Sequence, residues 1–154
     1  MDDHFEALAC YRHCTERIAK AWPNFQSFYA DRLRHGGEAE KVAEAIVEDL
    51  LTQVLDWDKG DLMYQLDYAD IVLSRNLAKY LVIEVKRPGV LLPGRKALTD
   101  AVAQARRYAD AQKVRCVAAT DGRFLYAADL AGGGLSDRVF VDPGRRIHRS
   151  SFGG

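Results

Sequence analysis

The segment Ala69-Asp-Ile-Val-Leu-Ser-Arg-Asn-Leu-Ala-Lys-Tyr-Leu-Val-Ile-Glu-Val-Lys86 contains two apolar runs rich in β-branched residues. Short runs of this kind, bounded by turn-forming residues, are typical of β-strands. Arg75-Asn76 supplies the turn, so the segment predicts strands at residues 69–74 and 80–86, joined as a hairpin. The fold is interpreted outward from this hairpin, because both strands carry charged side chains inside otherwise apolar runs.

The flanking sequence predicts further strands and helices around the hairpin. Strands are predicted at residues 62–66, 114–119 and 124–128. Helices are predicted at residues 5–21, at 25–33 after a break at Trp22-Pro23-Asn24, at 42–55, and around 98–109. Helices, an antiparallel meander, a helix and a hairpin follow in that order. This order predicts an α/β domain with a central mixed sheet of four to five strands flanked by helices.

The length of 154 residues fits one domain. Within it, residues 1–35 are interpreted as an N-terminal helical extension and residues 36–141 as the core. Residues 142–154, which are rich in Gly, Arg and Ser, are interpreted as a flexible C-terminal tail.

Three charged residues in the two hairpin strands are candidates for chemistry. Strand alternation places Glu84 and Lys86 on one face, and Asp70 shares a face with Val72 and Ser74. If the strands pair through the turn, Asp70 lies near Glu84. Two adjacent carboxylates repel unless a divalent cation lies between them, and such oxygen ligands suit Mg²⁺ or Mn²⁺. The alternative is a structural salt-bridge cluster at a strand end.

Several motifs resemble the PD-(D/E)xK nuclease superfamily, and within it the N-terminal nuclease domain of type I restriction motor subunits. The resemblance covers residues 40–129. The matching motifs are Leu55-Asp56-Trp57-Asp58, Ala69-Asp70-Ile71-Val72, Val82-Ile83-Glu84-Val85-Lys86-Arg87-Pro88-Gly89, Gln104-Ala105-Arg106-Arg107-Tyr108 and Ala119-Thr120-Asp121-Gly122-Arg123. The chain departs from the family at Asp56, where Gly is frequent, at Ala69, where the Pro that names the motif is absent, and at Asp121, where Asn is usual.

The resemblance implies a restriction-endonuclease-like core and Mg²⁺-dependent hydrolysis of DNA phosphodiester bonds. Asp70 and Glu84 match the metal ligands, and Lys86 matches the catalytic lysine. Gln104 and Tyr108, four residues apart on one helix, match a QxxxY motif that faces the site. The alternative for Tyr108 is simple packing against the sheet.

The family also places a glutamate on the first core helix, where Glu40, Glu44 and Glu48 compete for the role. Glu40 lies nearest the centre of the apolar stripe, about 20° away at 100° per residue, so Glu40 is preferred, followed by Glu44. In the alternative, all three are exposed helix acids.

Charge is balanced overall but not along the chain. The 22 basic and 22 acidic side chains cancel, whereas residues 61–154 contain fifteen Lys and Arg against ten Asp and Glu. Five basic residues near the motifs are expected to contact nucleic-acid phosphates: Arg87, Arg95, Lys96, Arg106 and Arg107. Solvated helix faces are the alternative explanation.

The expected partner is DNA, in preference to RNA. Association with a membrane is not expected. The segment Gly89–Ala97 imitates a phosphate-binding loop, but Arg95 and Ala97 replace its required Lys and Ser/Thr, so no ATPase motor is expected. The sequence is compatible with a homodimer and with association with a separate motor or specificity subunit. An odd count of three cysteines and the acidic residues 1–4 predict a reduced, cytoplasmic protein without a signal peptide.

Overall fold

The computed structural model describes residues 8–66, 69–91, 95–131 and 136–144. Within these residues, six strands form one sheet in chain order. The strands are β1 (Leu62–Leu66), β2 (Ala69–Arg75), β3 (Ala78–Val85), β4 (Cys116–Thr120), β5 (Leu125–Asp129) and β6 (Ser136–Val141). Neighbouring strands are antiparallel except β3 and β4, which are parallel. The sheet is therefore mixed, as predicted, and the fold is α/β.

Three helices flank the sheet in the described part of the chain. They are α1 (Ala9–His35), α2 (Ala39–Asp49) and α3 (Arg95–Gln112). A π-helical turn, Leu50–Val54, extends α2, and a 3₁₀ turn, Lys59–Asp61, leads into β1. The predicted helices at 42–55 and 98–109 are confirmed within these bounds.

The two faces of the sheet bury separate hydrophobic clusters. Ile71 and Ile83 pack on one face with Phe25 of α1 and Ile46 of α2. Val72 and Val82 pack on the other face with side chains of α3. Alternation along β2 and β3 thus fills both faces, and the domain has three layers.

Helix α1 passes through Pro23 without a break, so the predicted interruption at Trp22-Pro23-Asn24 is wrong. Proline removes one helical hydrogen bond at a cost of about 3 kcal/mol. The residues on either side offset that cost, because Trp22 and Phe25 are buried and their ring centroids lie 5.1 Å apart. The predicted N-terminal extension therefore contributes to the main core, through Ile18, Ala21, Trp22, Phe25, Tyr29 and Leu33.

The C-terminal part of the sheet differs from the prediction. β6 pairs with β5, so the sheet of the described residues has six strands where four to five were predicted. The run Val139-Phe140-Val141 is too short to signal a strand alone, and its pairing to β5 decides its structure. The predicted tail also begins differently, since Pro143 is buried and its carbonyl accepts a hydrogen bond from Gln26 Nε2 at 3.3 Å. Residues 145–154 of that tail lie outside the described part.

Candidate active site

Asp70 and Glu84 lie at neighbouring ends of the adjacent strands β2 and β3. Ile71 pairs with Ile83 in antiparallel register, so one further step along the ladder places Asp70 opposite Glu84. The Asp70 carboxylate reaches across the strand end, where its Oδ2 accepts a hydrogen bond from the backbone N–H of Val85 at 2.7 Å. The hairpin thus brings together the two carboxylates that the sequence singles out.

Lys86 completes this group. Its Nζ donates a hydrogen bond to Glu84 Oε1 at 2.7 Å. Glu84 is buried, with 5% of its surface exposed, whereas Lys86 is half-buried. We call Asp70, Glu84 and Lys86 the carboxylate–lysine cluster.

The electrostatics of the carboxylate–lysine cluster favour an additional cation. Burial raises the pKa of Glu84, and the charges of Asp70 and Glu40 raise it further, while the hydrogen bond and charge of Lys86 act in the opposite direction. Because the net shift is upward despite the ammonium, the ionised form of Glu84 is under-stabilised. A second positive charge beside it would stabilise that form.

The three glutamates of α2 have different surroundings. Glu40 is exposed, and its charge is among those that raise the pKa of Glu84, so it lies close to the carboxylate–lysine cluster. Glu44 forms an ion pair with Lys41 at 2.9 Å. Glu48 accepts hydrogen bonds from Tyr64 and, at 3.1 Å, from Lys59. Among these acids, Glu40 is therefore the best placed to act with Asp70 and Glu84.

The carboxylate–lysine cluster fits a hard divalent cation that keeps part of its water shell. Among the residues that the structure describes, no group of three or more His, Cys, Asp or Glu side chains is arranged to hold a metal ion. Mg²⁺, however, is usually bound by only one or two carboxylates together with water and substrate phosphates. The two hydrogen bonds above engage Oδ2 of Asp70 and Oε1 of Glu84, which leaves Oδ1 and Oε2 as possible ligands.

The QxxxY-like pair does not join the carboxylate–lysine cluster. The Tyr108 hydroxyl accepts a hydrogen bond from Lys79 Nζ at 3.3 Å, and Lys79 also lies over the Tyr108 ring. Lys79 is the second residue of β3 and Glu84 the last but one, a separation of five residues or about 17 Å along the strand. Tyr108 is buried against the sheet, which is the packing alternative, and Gln104 is exposed one turn earlier on α3. The contacts of Tyr108 are thus with Lys79 rather than with the carboxylate–lysine cluster.

The predicted phosphate-contacting residues fall into two groups, one near the end of β3 and one in the second half of α3. Because β3 and β4 are parallel, α3 must run back along the sheet, so only its first turns lie near the end of β3. Arg87 is exposed directly after Lys86, and Lys96 lies in the first turn of α3, paired with Asp100 at 3.3 Å. Arg106 and Arg107 directly precede Tyr108 in the second half of the helix. The side chain of Arg95 lies outside the described part.

One buried acid near the site has no functional role in the sequence-based interpretation. Asp121 is fully buried in the turn between β4 and β5. The sequence shows it only as an Asp-Gly turn and as a departure from the family's Asn. Its partners include the segment that follows Lys86.

No protein-family model, curated protein or solved structure matches this chain.

None of the helices in the described residues has the length and apolar character needed to cross a membrane.

Proposed function

We propose that this chain is a nuclease that hydrolyses DNA phosphodiester bonds with Mg²⁺ or Mn²⁺ as cofactor, on a restriction-endonuclease-like core. This is the activity that the PD-(D/E)xK resemblance implies. Support for the core comes from the mixed sheet between helical layers, in which the two motif strands are adjacent.

One observation carries the proposal: Asp70, Glu84 and Lys86 meet at one end of β2 and β3. Two carboxylates and an ammonium in a partly buried position match the needs of phosphodiester hydrolysis. The carboxylates would hold the cation, with Glu40 as an additional acid from α2. When bound, the cation supplies activation of water and neutralisation of charge on the phosphate.

In this proposal, Lys86 would act on the same phosphate. Its ammonium lies 2.7 Å from Glu84 Oε1, so it is held beside the proposed metal ligand without displacing Oε2. From there it would stabilise negative charge on the phosphate or orient the attacking water. Removing one preorganised group of this kind typically lowers kcat by about 10²- to 10³-fold.

DNA binding would depend on local positive charge, because the net charge of the chain is zero. Arg87 and Lys96 are two exposed cations near the end of β3. Such side chains contact backbone phosphates without reading sequence, so the expected affinity is general and falls with salt.

A cleavage assay with purified protein tests the proposal. DNA should be cut with Mg²⁺ or Mn²⁺, left intact with EDTA, and bound without turnover in Ca²⁺. Lys86→Ala and Glu84→Gln should abolish most cleavage, whereas Asp31→Asn, an exposed acid on α1, should retain it as a matched control. Equal cleavage by wild-type protein and Glu84→Gln would rule out the proposed site.

A catalytically silent module that binds nucleic acid or a partner protein is the second candidate. It is favoured by one observation: Glu84 already pairs with Lys86, and Asp70 already accepts a backbone hydrogen bond, so both have partners without metal. Mn²⁺ titration separates the two candidates, since the silent module would bind DNA or protein without binding Mn²⁺.

The proposed nuclease has one active site per chain and would cut one strand at a time. Double-strand cleavage would require a homodimer or association with a separate motor or specificity subunit. Sedimentation of the active protein with DNA distinguishes a nicking monomer from a dimer.

A further inference from the structure

Asp121 occupies an unusual position for an ionisable side chain. It is fully buried, and in the described part of the chain its hydrogen-bond partners are four backbone N–H groups. Oδ1 accepts from Arg123 at 3.0 Å and Phe124 at 3.3 Å, within its own turn. Oδ2 accepts from Gly89 at 3.0 Å and Leu91 at 3.3 Å, about thirty residues earlier in the chain.

The segment that Oδ2 holds is the continuation of β3 beyond Lys86. Three of its backbone N–H groups donate hydrogen bonds to the end of β4 and the turn after it. Lys86 N–H donates to the Thr120 carbonyl at 2.8 Å, and the N–H groups of Gly89 and Leu91 donate to the Asp121 carboxylate. Between these anchors, Val90 N–H donates to the Arg87 carbonyl at 3.3 Å. Pro88 and Gly89, the latter with φ of 86°, occupy the central positions of a type II turn.

Among the described residues 86–91, Leu91 is the one that is buried. Arg87 and Gly89 are exposed, and Leu91 is the side chain that anchors the segment in the core. A carboxylate can accept all four bonds because it has two oxygens and no donor. An asparagine could keep the bonds within its own turn through its one oxygen, but its NH₂ would then face the N–H groups of Gly89 and Leu91.

We propose that Asp121 is a positioning residue of the active site, which holds the segment 86–91 so that the Lys86 ammonium stays against Glu84. The proposal rests on the nuclease function for its catalytic meaning. In the described part of the chain, the hydrogen bonds of Asp121 go to backbone N–H groups and not to Asp70, Glu84 or the Lys86 ammonium, so it acts through the segment that carries Lys86. Its loss should therefore lower the rate of cleavage while Asp70 and Glu84, which accept no hydrogen bond from Asp121, still bind metal.

Two variants loosen the segment by independent routes. Asp121→Asn removes the acceptor of the Gly89 and Leu91 N–H groups. Gly89→Ala leaves Asp121 intact and strains the turn, because φ of 86° disfavours a side chain while open space surrounds the added Cβ. Two variants serve as matched controls. Asp49→Asn changes a buried acid at the end of α2 that pairs with Arg32 of α1. Gly60→Ala adds a Cβ that, like the one at position 89, has open space around it.

Three measurements report on each variant. Amide exchange of residues 89 and 91, followed by NMR, reports whether the segment is released. The rate of Lys86 acetylation by acetic anhydride, read by mass spectrometry, reports whether its ammonium remains paired. The DNA cleavage rate at saturating Mn²⁺, together with the half-saturating Mn²⁺ concentration, separates catalysis from metal binding.

In Asp121→Asn and Gly89→Ala, we expect amide exchange to rise about tenfold, as for the loss of one or two hydrogen bonds. Lys86 acetylation should rise with it, the cleavage rate at saturating Mn²⁺ should fall about tenfold, and Mn²⁺ should still bind. Both controls should match the wild-type protein in exchange at residues 89 and 91 and in acetylation.

The proposal is overturned if amide exchange at residues 89 and 91, or acetylation of Lys86, is unchanged in both variants. It is also overturned if Lys86 is acetylated faster while the DNA cleavage rate stays at the wild-type value. Failure of the nuclease function has a different signature, because the wild-type protein itself would then neither bind Mn²⁺ nor cut DNA. In that case, exchange and acetylation still decide whether Asp121 holds Lys86.

Discussion

Asp70 combines a proposed metal-binding role with a structural one, and two substitutions separate them. Asp70→Ala removes both the charge and the acceptor of the Val85 N–H bond. Asp70→Asn removes the charge but keeps an oxygen that can accept the same bond. Both variants relieve the repulsion between Asp70 and Glu84 equally, so that contribution cancels when the two are compared.

The remaining difference is the hydrogen bond at the end of β3. Val85 is buried, so in Asp70→Ala its N–H group loses its partner away from solvent. An unsatisfied buried donor costs about 1–3 kcal/mol. We therefore expect Asp70→Ala to be less stable than Asp70→Asn by about 1–3 kcal/mol, with Tm lower by about 2–4 °C for each kcal/mol.

Urea and thermal denaturation in EDTA measure this difference without any contribution from metal, and a Mn²⁺-dependent cleavage assay runs in parallel. Both variants should be inactive, because each removes the negative charge proposed to hold the cation. Equal stability of the two variants would refute the structural role of the hydrogen bond. Wild-type cleavage by Asp70→Asn would refute the metal-binding role.

Three further predictions concern other parts of the molecule. Burial raises the folded-state pKa of Glu84, so ionisation of Glu84 destabilises the fold. In EDTA, Glu84→Gln should therefore become more stable than wild type as the pH rises from the unfolded-state pKa of Glu84 through its folded-state pKa. Urea midpoints measured across pH check this prediction, and a difference in stability that does not change with pH would contradict it. Leu77 follows Asn76 in the turn and is fully exposed, with φ of 67°. Leu77→Gly should therefore raise the free energy of unfolding by about 0.5–1 kcal/mol in a urea titration, whereas Leu77→Ala should not raise it. Arg87→Ala should reduce the slope of log affinity for DNA against log salt by about one, and Arg34→Ala on α1 should leave it unchanged.

Much of the fold is readable from local sequence patterns. The predicted strands at 62–66, 69–74 and 80–86 coincide with β1, β2 and β3 to within two residues. The hairpin turn lies one residue later than predicted, at Asn76 and Leu77, where both φ values are positive. Leucine gives no sign of this conformation, which is why the turn position is missed.

The carboxylate–lysine cluster is predictable for the same local reason. Asp70 and Glu84 lie on consecutive strands joined by a short turn, so alternation and antiparallel pairing are enough to place them opposite each other. The hydrogen bond from Val85 to Asp70 is not predictable, because it depends on how the carboxylate turns at the strand end. Because of this hydrogen bond, Asp70→Ala both relieves the repulsion between the carboxylates and leaves the buried Val85 N–H group without its partner.

The sequence by itself determines the alternation of the strands, the turn residues and the neighbouring carboxylates, since these depend on residues close together in the chain. Tertiary structure alone decides that Tyr108 packs by Lys79, that Pro23 lies inside a helix and that β6 joins the sheet. It also decides that Asp121 holds the segment after Lys86. Each of these features depends on pairing or burial between segments distant in sequence, where long-range packing free energy outweighs local preference.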